Sequence, residues 1–382
     1  MNVLVVFGTR PEAIKLAPVI AELRRRPGFD VRVATTAQHR ELLDQVLTVF
    51  SIVPDVDLDV MRPGQTLAAL SGRVLAAVDP LLLEHRPDVV VVQGDTTSAF
   101  MCALAAFYRG VPVVHVEAGL RSGSMSNPFP EEANRRLTAV VAALHFAPTE
   151  GAREALLAEG VAPERVFVTG NTVVDALLQI RSSEMFRAAR ARVAVDGRRQ
   201  LLVTLHRRES FGAPLRAMCE ALKTIASSRE DVHVVIPVHL NPSVRAMVHQ
   251  QLTDAPRVSL LEPLDYVDFV AAMDSSWLVL TDSGGVQEEA PALGCPVLVL
   301  RETTERMEGI EAGAARLIGT SAGAIVSTTL HLLDHPDERD RMARPVSPFG
   351  DGHASERIAG ILENSRSQLT REQTPSSGRR VS

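Results

Sequence analysis

Short runs rich in Val, Leu and Ile alternate with helical stretches along this chain, and the alternation runs through twice. Continuous apolar runs of this kind suit parallel strands buried on both faces. In the first half they are Val3–Phe7, Val31–Thr35, Val89–Gln93 and Val111–Val116, with weaker runs at Leu144–Ala147 and Val166–Thr169. The second half starts again with Gln200–Thr204, Val232–Pro237, Val258–Leu261, Trp277–Thr281 and Pro296–Leu300. Gln179–Arg199 between them is polar and Arg-rich and reads as helix plus linker. A chain of 382 residues suits two cores rather than one. The expected fold class is α/β: two doubly wound Rossmann-like domains facing a cleft that holds ligand between their strand ends. The expected limits are 1–170 and 171–352, with an aperiodic polar tail at 367–382 expected to be disordered.

Net charge is −6 and no long basic run precedes the tail, which argues against a nucleic-acid partner. The first residues already read as strand, leaving no room for a secretory signal, and no apolar stretch reaches membrane-spanning length. A cytoplasmic protein without a membrane partner is expected. Cys102, Cys219 and Cys295 lack CxxC or zinc-like spacing and read as reduced, buried thiols.

The first strand runs into Gly8-Thr9-Arg10-Pro11-Glu12-Ala13-Ile14-Lys15, a glycine turn followed by a proline-started helix. Such a helix start can hold an anion, and Arg10 and Lys15 can face the same crevice. Neither the dinucleotide fingerprint nor the Walker pattern is present, so a phosphorylated ligand is expected by a different route. In the second half, Thr281-Asp282-Ser283-Gly284-Gly285 ends a strand and opens a helix whose amides suit a diphosphate, with Glu289 further along to reach ribose hydroxyls. Ser283 as an ordinary helix cap is the plainer alternative. Arg301 and Arg306 follow another strand and add cations.

Three carboxylates invite a catalytic reading. Asp95 follows the Val89–Gln93 strand, where it either acts in chemistry or caps the next helix. Glu117 ends an interior strand, where an ionised side chain needs a partner. Glu131 lies just inside the helix begun by Pro130, a place that also suits the helix dipole. His206 ends the first strand of the second half among arginines and is placed to donate to phosphate or act as an acid. His39 and His239 also follow strands, but no metal-ligand spacing is found.

Taken as a set, these motifs resemble the non-hydrolysing UDP-N-acetylglucosamine 2-epimerases. The match runs through Gly8–Lys15, Gly94–Thr97, His115–Arg121, Pro130–Arg135, Gly170–Thr172, His206–Glu209 and Asp282–Ala290, in order and nearly to Glu363. The resemblance implies the B-type glycosyltransferase fold, reversible conversion of UDP-GlcNAc to UDP-ManNAc without a cofactor, a homodimer, and a final helix at about 353–366 returning to the first domain. It implies Asp95, Glu117 and Glu131 as acid/base groups with His206 beside them. Arg10, Lys15, Ser283, Gly284, Gly285, Glu289 and Arg306 would hold UDP, with Phe269 near the uracil. Gln38, Gln65, Glu132, Arg207 and His239 correspond to an activator site in some relatives. Leu205 stands where a small or short polar residue is expected and would crowd substrate or redirect His206. Met307 replaces a usual proline, and Gly64 replaces an arginine of the activator site.

The carbon-2 proton of the sugar is not adjacent to a carbonyl, and the nicotinamide fingerprint that would serve transient oxidation is missing. Elimination remains: UDP leaves carbon 1 while a base takes the proton, giving a glycal with its double bond between carbons 1 and 2. That path needs acid/base groups on both faces and firm anion binding. The rival expectations are a hydrolysing epimerase releasing ManNAc and UDP, a B-type glycosyltransferase, and a non-catalytic nucleotide-sugar sensor.

Overall fold

The computed structural model describes residues 1–36, 40–62, 64–126, 128–193, 195, 197–207, 210–344 and 348–372, with backbone alone for 40–42 and 370–372. Gln38, His39, Arg208, Glu209 and the tail beyond 372 lie outside the described residues. The chain divides into one unit formed by Met1–Ala176 with the segment from Gly350 onward, and a second formed by Leu177–Phe349.

The first unit is built on β1 (Asn2–Phe7), β2 (Asp30–Thr35), β3 (Val56–Asp57), β4 (Val89–Gln93), β5 (Val113–Val116), β6 (Leu144–Ala147) and β7 (Val166–Val168). Among the described residues they form one parallel sheet in the order β3-β2-β1-β4-β5-β6-β7. Its connections carry α1 (Arg10–Arg25), α2 (Arg40–Val49), α3 (Leu67–His85), α4 (Thr97–Tyr108), α5 (Glu131–Val141) and α6 (Glu150–Ala158), and α7 (Thr172–Arg181) leads into the second unit. Val89, Val90, Val91 and Val92 of β4 are all fully buried, because helices cover both faces of the sheet. Burying each valine contributes about 1.5–3 kcal/mol.

The second unit repeats the plan with β8 (Arg199–Thr204), β9 (Val232–Pro237), β10 (Val258–Leu261), β11 (Leu278–Thr281), β12 (Val297–Val299) and β13 (Ala315–Leu317). These lie parallel in the order β10-β9-β8-β11-β12-β13. Around them run α8 (Glu184–Val193), α9 (Ala213–Ser228), α10 (Pro242–Leu252), α11 (Tyr266–Asp274), α12 (Gly284–Ala292), α13 (Met307–Glu311), α14 (Ala322–Asp334) and α15 (Pro336–Met342). The strands that the apolar pattern does not mark are β3 and β13, which are sheet edges of two and three residues. Such short, half-covered strands leave no continuous apolar run to read. Both units are thus doubly wound and Rossmann-like.

Two helices complete the first unit: α16 (Ala354–Asn364) and α17 (Arg366–Glu372). The buried carboxylate of Asp175 accepts from the amides of Ala354 (3.2 Å) and Ser355 (2.8 Å) and from the Ser355 hydroxyl (2.6 Å). α16 lacks a side-chain cap of its own, so Asp175 satisfies its open start from another helix. α16 packs on α1, where Arg26 pairs with Glu363 at 3.1 Å. The expectation of disorder from 367 is corrected for residues 367–372, which are helical in α17. Leu369 is buried there, and the Arg366 guanidinium lies 5.8 Å from the centre of the Phe29 ring, so this short polar segment gains anchors that lack periodicity in sequence.

Removing the clamp should loosen the return of the chain. Asp175→Ala is expected to cost about 1–3 kcal/mol, because three buried donors lose their acceptor. A lowered urea midpoint, with faster proteolysis ahead of α16, is the outcome that checks it.

Candidate active site

In each sheet, strand order reverses at one place, between β1 and β4 in the first unit and between β8 and β11 in the second. At such a reversal the two connections leave towards opposite faces and open a crevice at the carboxyl ends of the strands. Arg10 and Asp95 follow the strands of the first reversal, His206 and Ser283 those of the second, while Glu117 and Glu131 follow the neighbouring β5.

In the first unit, the β1–α1 turn is closed by its own carboxylate. Glu12 Oε2 accepts from the amides of Gly8 (3.0 Å) and Thr9 (2.7 Å), while the Glu12 amide donates to Thr9 Oγ1 (3.4 Å). This capping box corrects the expectation that the start of α1 presents its amides to a ligand phosphate. Lys15 also turns to a protein partner, with its Nζ 2.5 Å from Glu117 Oε2. Arg10 remains at the first position of α1, partly buried.

Glu117 is 9% exposed and adopts a left-handed backbone, with φ of 61°. That conformation strains a residue with a side chain, and it is held here by the surrounding contacts. Gln93 Nε2 donates to the same carboxylate at 2.7 Å. Two residues on, Gly119 has φ of 93°, and a Cβ there would sit 2.1 Å from the Ala152 carbonyl oxygen, so only glycine fits. The buried Glu117 thus receives the cation and the donor that an ionised carboxylate requires.

Asp95 does not cap α4; Thr96 does, accepting from the Ala99 amide at 3.0 Å. Asp95 instead pairs with Arg135 at 2.6 Å, and Asn134 Nδ2 donates to its carbonyl at 2.9 Å. Both partners sit on α5, whose first residue is Glu131. Among the described residues, Glu131 Oε2 is buried without a hydrogen-bond partner. Glu132 is fully buried and accepts from the Ser122 amide (2.9 Å), Arg135 (3.2 Å) and Arg136 (3.1 Å). Burial acts to raise its pKa, but the Ser122 amide and the two arginines outweigh it and hold the group below the usual carboxylate range. Glu132 therefore anchors Arg135 rather than facing a ligand. His115 Nε2 lies 2.7 Å from the Gly94 carbonyl oxygen just before Asp95, and burial pushes its pKa down to about 4.

The second unit centres on Asp282, which has 0% exposure at the end of β11. Its oxygens accept from the amides of His206 (3.1 and 3.0 Å) and Arg207 (3.0 Å), and its Oδ1 lies 3.0 Å from His206 Nδ1. Burial works to raise this carboxyl, but the His206 side chain and these amides together lower it. Leu205 is buried in the core of this unit, which corrects the expectation that it crowds substrate or redirects His206. His239 is exposed, its ring 5.7 Å from that of His206.

Ser283 holds the cap position of α12 but makes no side-chain capping bond, so its hydroxyl is not used as a cap. A Cβ on Gly284 would lie 3.3 Å from Arg207 Nη2 and 3.4 Å from Arg306 Cζ. Two guanidinium groups therefore press against a helix start, with Glu305 Oε1 also 3.4 Å from that point as the anion they meet, while Gly285 faces open space. Glu305 organises these cations, pairing with Arg301 (2.9 Å), Arg306 (2.6 Å) and Arg207 (3.5 Å). Arg306 also pairs with Glu288 at 2.9 Å. The loop before Met307 is held by these pairs and by a 2.6 Å bond from Thr304 to Gln287, so it stays anchored without proline. Glu289 accepts from the Tyr266 hydroxyl at 3.3 Å, and Phe269 is half-buried on α11.

Of the suggested activator residues, Gln65 bonds to the Arg62 amide and Met61 Sδ, and Gly64 adopts φ of 68° beside it. The residues that sequence reasoning missed are Glu12, Thr96, Arg135, Asp282 and Glu305. Thr9 and Glu12 stand three apart, a capping-box spacing that was legible. Thr96 also caps locally, through Ala99, and Glu305 has Arg301 and Arg306 close in sequence. The contacts of Arg135 with Asp95, of Asp282 with His206, and of Glu305 with Arg207 are distant in sequence and carry no local signal.

No cluster of His, Cys, Asp and Glu suited to a metal occurs among the described residues, and no helix among them is long and apolar enough to cross a membrane. Paired Rossmann-like units with an acidic cluster at one strand reversal and an arginine-flanked helix start at the other define an enzyme of the B-type glycosyltransferase fold class. The chain belongs to the UDP-N-acetylglucosamine 2-epimerase family, whose model matches residues 21–363. It is 51% identical over 376 residues to the UDP-N-acetylglucosamine 2-epimerase of Escherichia coli (strain K12), covering 97% of this chain and 100% of that protein. The Bacillus subtilis (strain 168) protein of the same name is 49% identical over 362 residues, covering 95% of each. A crystal structure of UDP-GlcNAc 2-epimerase from Neisseria meningitidis bound to UDP-GlcNAc superposes with a TM-score of 0.90 at 43% identity, covering 95% of this chain and 100% of that one.

The arginines around Glu305 lower its pKa from 4.5 to about 2 against the opposing effect of burial. A lowered folded-state pKa gives stability that is present above the unfolded value and lost as pH falls through the folded one. Glu305→Gln is expected to flatten the fall in stability between pH 4.5 and about 2, seen by denaturant melts across that range.

Proposed function

We propose that this chain interconverts UDP-N-acetylglucosamine and UDP-N-acetylmannosamine by eliminating and re-adding UDP through 2-acetamidoglucal. The observation that carries the reading is the placing of Asp95 after β4, Glu117 after the neighbouring β5 and Glu131 at the start of α5, which holds Asp95 through Arg135, with a Glu131 oxygen buried and unpartnered among the described residues. Membership of the family supports the overall conversion, as do the names of the relatives.

In this reading, one acid/base group takes the carbon-2 proton as the bond from carbon 1 to the UDP oxygen breaks. The electrons of the C–H bond form the C1–C2 double bond, and UDP departs as an anion. A second group then returns a proton to the opposite face of carbon 2 while the UDP oxygen bonds to carbon 1 again. Glu117, with Lys15 and Gln93 against it, suits a group kept ionised between turnovers. Asp95 and Glu131 supply the other acid/base capacity. Ser283, Gly284, Gly285 and Arg306 would hold the diphosphate and favour its departure. Glu289 would meet the ribose, Phe269 the uracil, and His206, oriented by Asp282, would donate to the leaving group. The three buried thiols suit a reducing compartment such as the cytoplasm.

Turnover of UDP-GlcNAc in heavy water should place deuterium at carbon 2 of both epimers, read by proton NMR. Unlabelled product overturns the route, and free ManNAc with UDP would mark a hydrolysing enzyme. Asp95→Asn, Glu117→Gln and Glu131→Gln are each expected to lower kcat by about 10²–10⁴-fold. UDP affinity, measured by calorimetry, should change little in the same variants.

A homodimer is part of the proposal. α3 packs on α4 and α4 on α5, yet these helices leave Leu83, Phe107, Tyr108, Leu137 and Val140 exposed, the last at 78%. Apolar surface of this kind suits a second copy of the chain. Val140→Asp should shift the protein towards monomer in sedimentation velocity, and an unchanged profile would remove this face as the interface.

A further inference from the structure

Glu12 has no part in the reaction just described, although it is only 2% exposed at the first strand reversal. A capping box needs one carboxylate oxygen directed at its own turn. Here Oε2 does that work, accepting from the amides of Gly8 and Thr9. Oε1 points elsewhere and accepts from the Thr96 hydroxyl at 2.7 Å. Thr96 directly follows Asp95 and caps α4 through the same oxygen, which accepts from the Ala99 amide. One buried side chain therefore ties the turn bearing Arg10 to the turn bearing Asp95, across 84 residues of chain.

We propose that Glu12 is a positioning residue that locks these two turns together and so fixes Asp95 for proton transfer. Asp95 is held from α5 through Arg135 and Asn134, and Glu12 with Thr96 holds it from the sheet side. Gly8, Thr9 and Thr96 all donate to the Glu12 carboxylate, so its ionised form suits the lock, although burial pushes its pKa up. The consequence is kinetic, because a reacting group displaced by about 1 Å can lose about 10²-fold in rate. This inference rests on the epimerase reading, since it assigns Asp95 a proton-transfer role.

The test uses the full chain with Glu12→Ala, Glu12→Gln, Thr96→Val and Thr96→Ser. Glu12→Ala and Thr96→Val should each lower kcat about 10²-fold, and in Thr96→Val, which leaves the capping box beside Arg10 intact, the Kd for UDP should stay within about twofold. Thr96→Ser keeps the hydroxyl that bridges the turns and should restore kcat to within about fivefold of the parent. Glu12→Gln, which keeps one accepting oxygen for the Gly8 and Thr9 amides and turns an NH2 donor towards the Thr96 hydroxyl oxygen, should recover only part of it. The Glu12→Ala/Thr96→Val double variant should be no slower than its slower single, as expected for two halves of one contact. If Glu12→Ala fails to fold, Thr96→Val against Thr96→Ser decides the matter. A folded Thr96→Val with parental kcat, or losses that multiply in the double variant, overturns the lock. Hydrogen exchange separates this from failure of the epimerase reading. Thr96→Val should speed amide exchange at Gly8 and Thr9, and Glu12→Ala should do so at Thr96–Ala99, whether or not the parent converts UDP-GlcNAc. Absence of that reciprocal effect sinks the inference, and an inactive parent sinks the reading beneath it.

Discussion

Everything functional in this molecule depends on where its parallel sheets change direction. A strand at the reversal has neighbours whose connections leave on opposite faces, so the carboxyl ends there stay uncovered by helix. β1 and β4 flank that place in the first unit, β8 and β11 in the second. Arg10 and Asp95 follow the first pair, His206 and Asp282 the second. The topology places these residues at the ends of the strands, where buried groups such as Glu12 and Asp282 meet their hydrogen-bond partners.

Charge at the rim is balanced locally. Glu117 meets Lys15, Asp95 meets Arg135, and Glu305 meets Arg207, Arg301 and Arg306. For the largely buried pair of Glu117 and Lys15, removing one partner leaves a charge with little solvent to screen it, which costs more than the pair contributes. The arrangement keeps ionised groups fixed in place before any ligand arrives, so little reorganisation is left for the chemical step. Asp282 shows the same economy, orienting His206 while holding two backbone amides.

The interior strands and the glycine-marked turns were legible because burial on both faces imposes a composition that few other structures share. β4 and β9 match their apolar runs residue for residue. Edge strands were not, since β13 has only Ala315 fully inside and the run dissolves into its surroundings. Within the site, Asp95, Glu117 and His206 could be read from their positions after strands. Their partners could not: Arg135 reaches Asp95 from 40 positions away in a helix whose pattern is merely amphipathic. The amide cradle expected at α1 failed for a related reason, as Glu12 supplies from within the helix the anion that was assigned to a ligand.

The clamp between Asp175 and the start of α16 has a consequence for how the chain is made. The second unit is a continuous stretch, Leu177–Phe349, whereas the first is interrupted by it and resumes only at Gly350. During synthesis the inserted body leaves the ribosome whole while the earlier body still lacks its closing helix. Asp175 waits through that interval with its acceptors unmet, and the nascent amino-terminal half reaches its finished form last, although it was translated first.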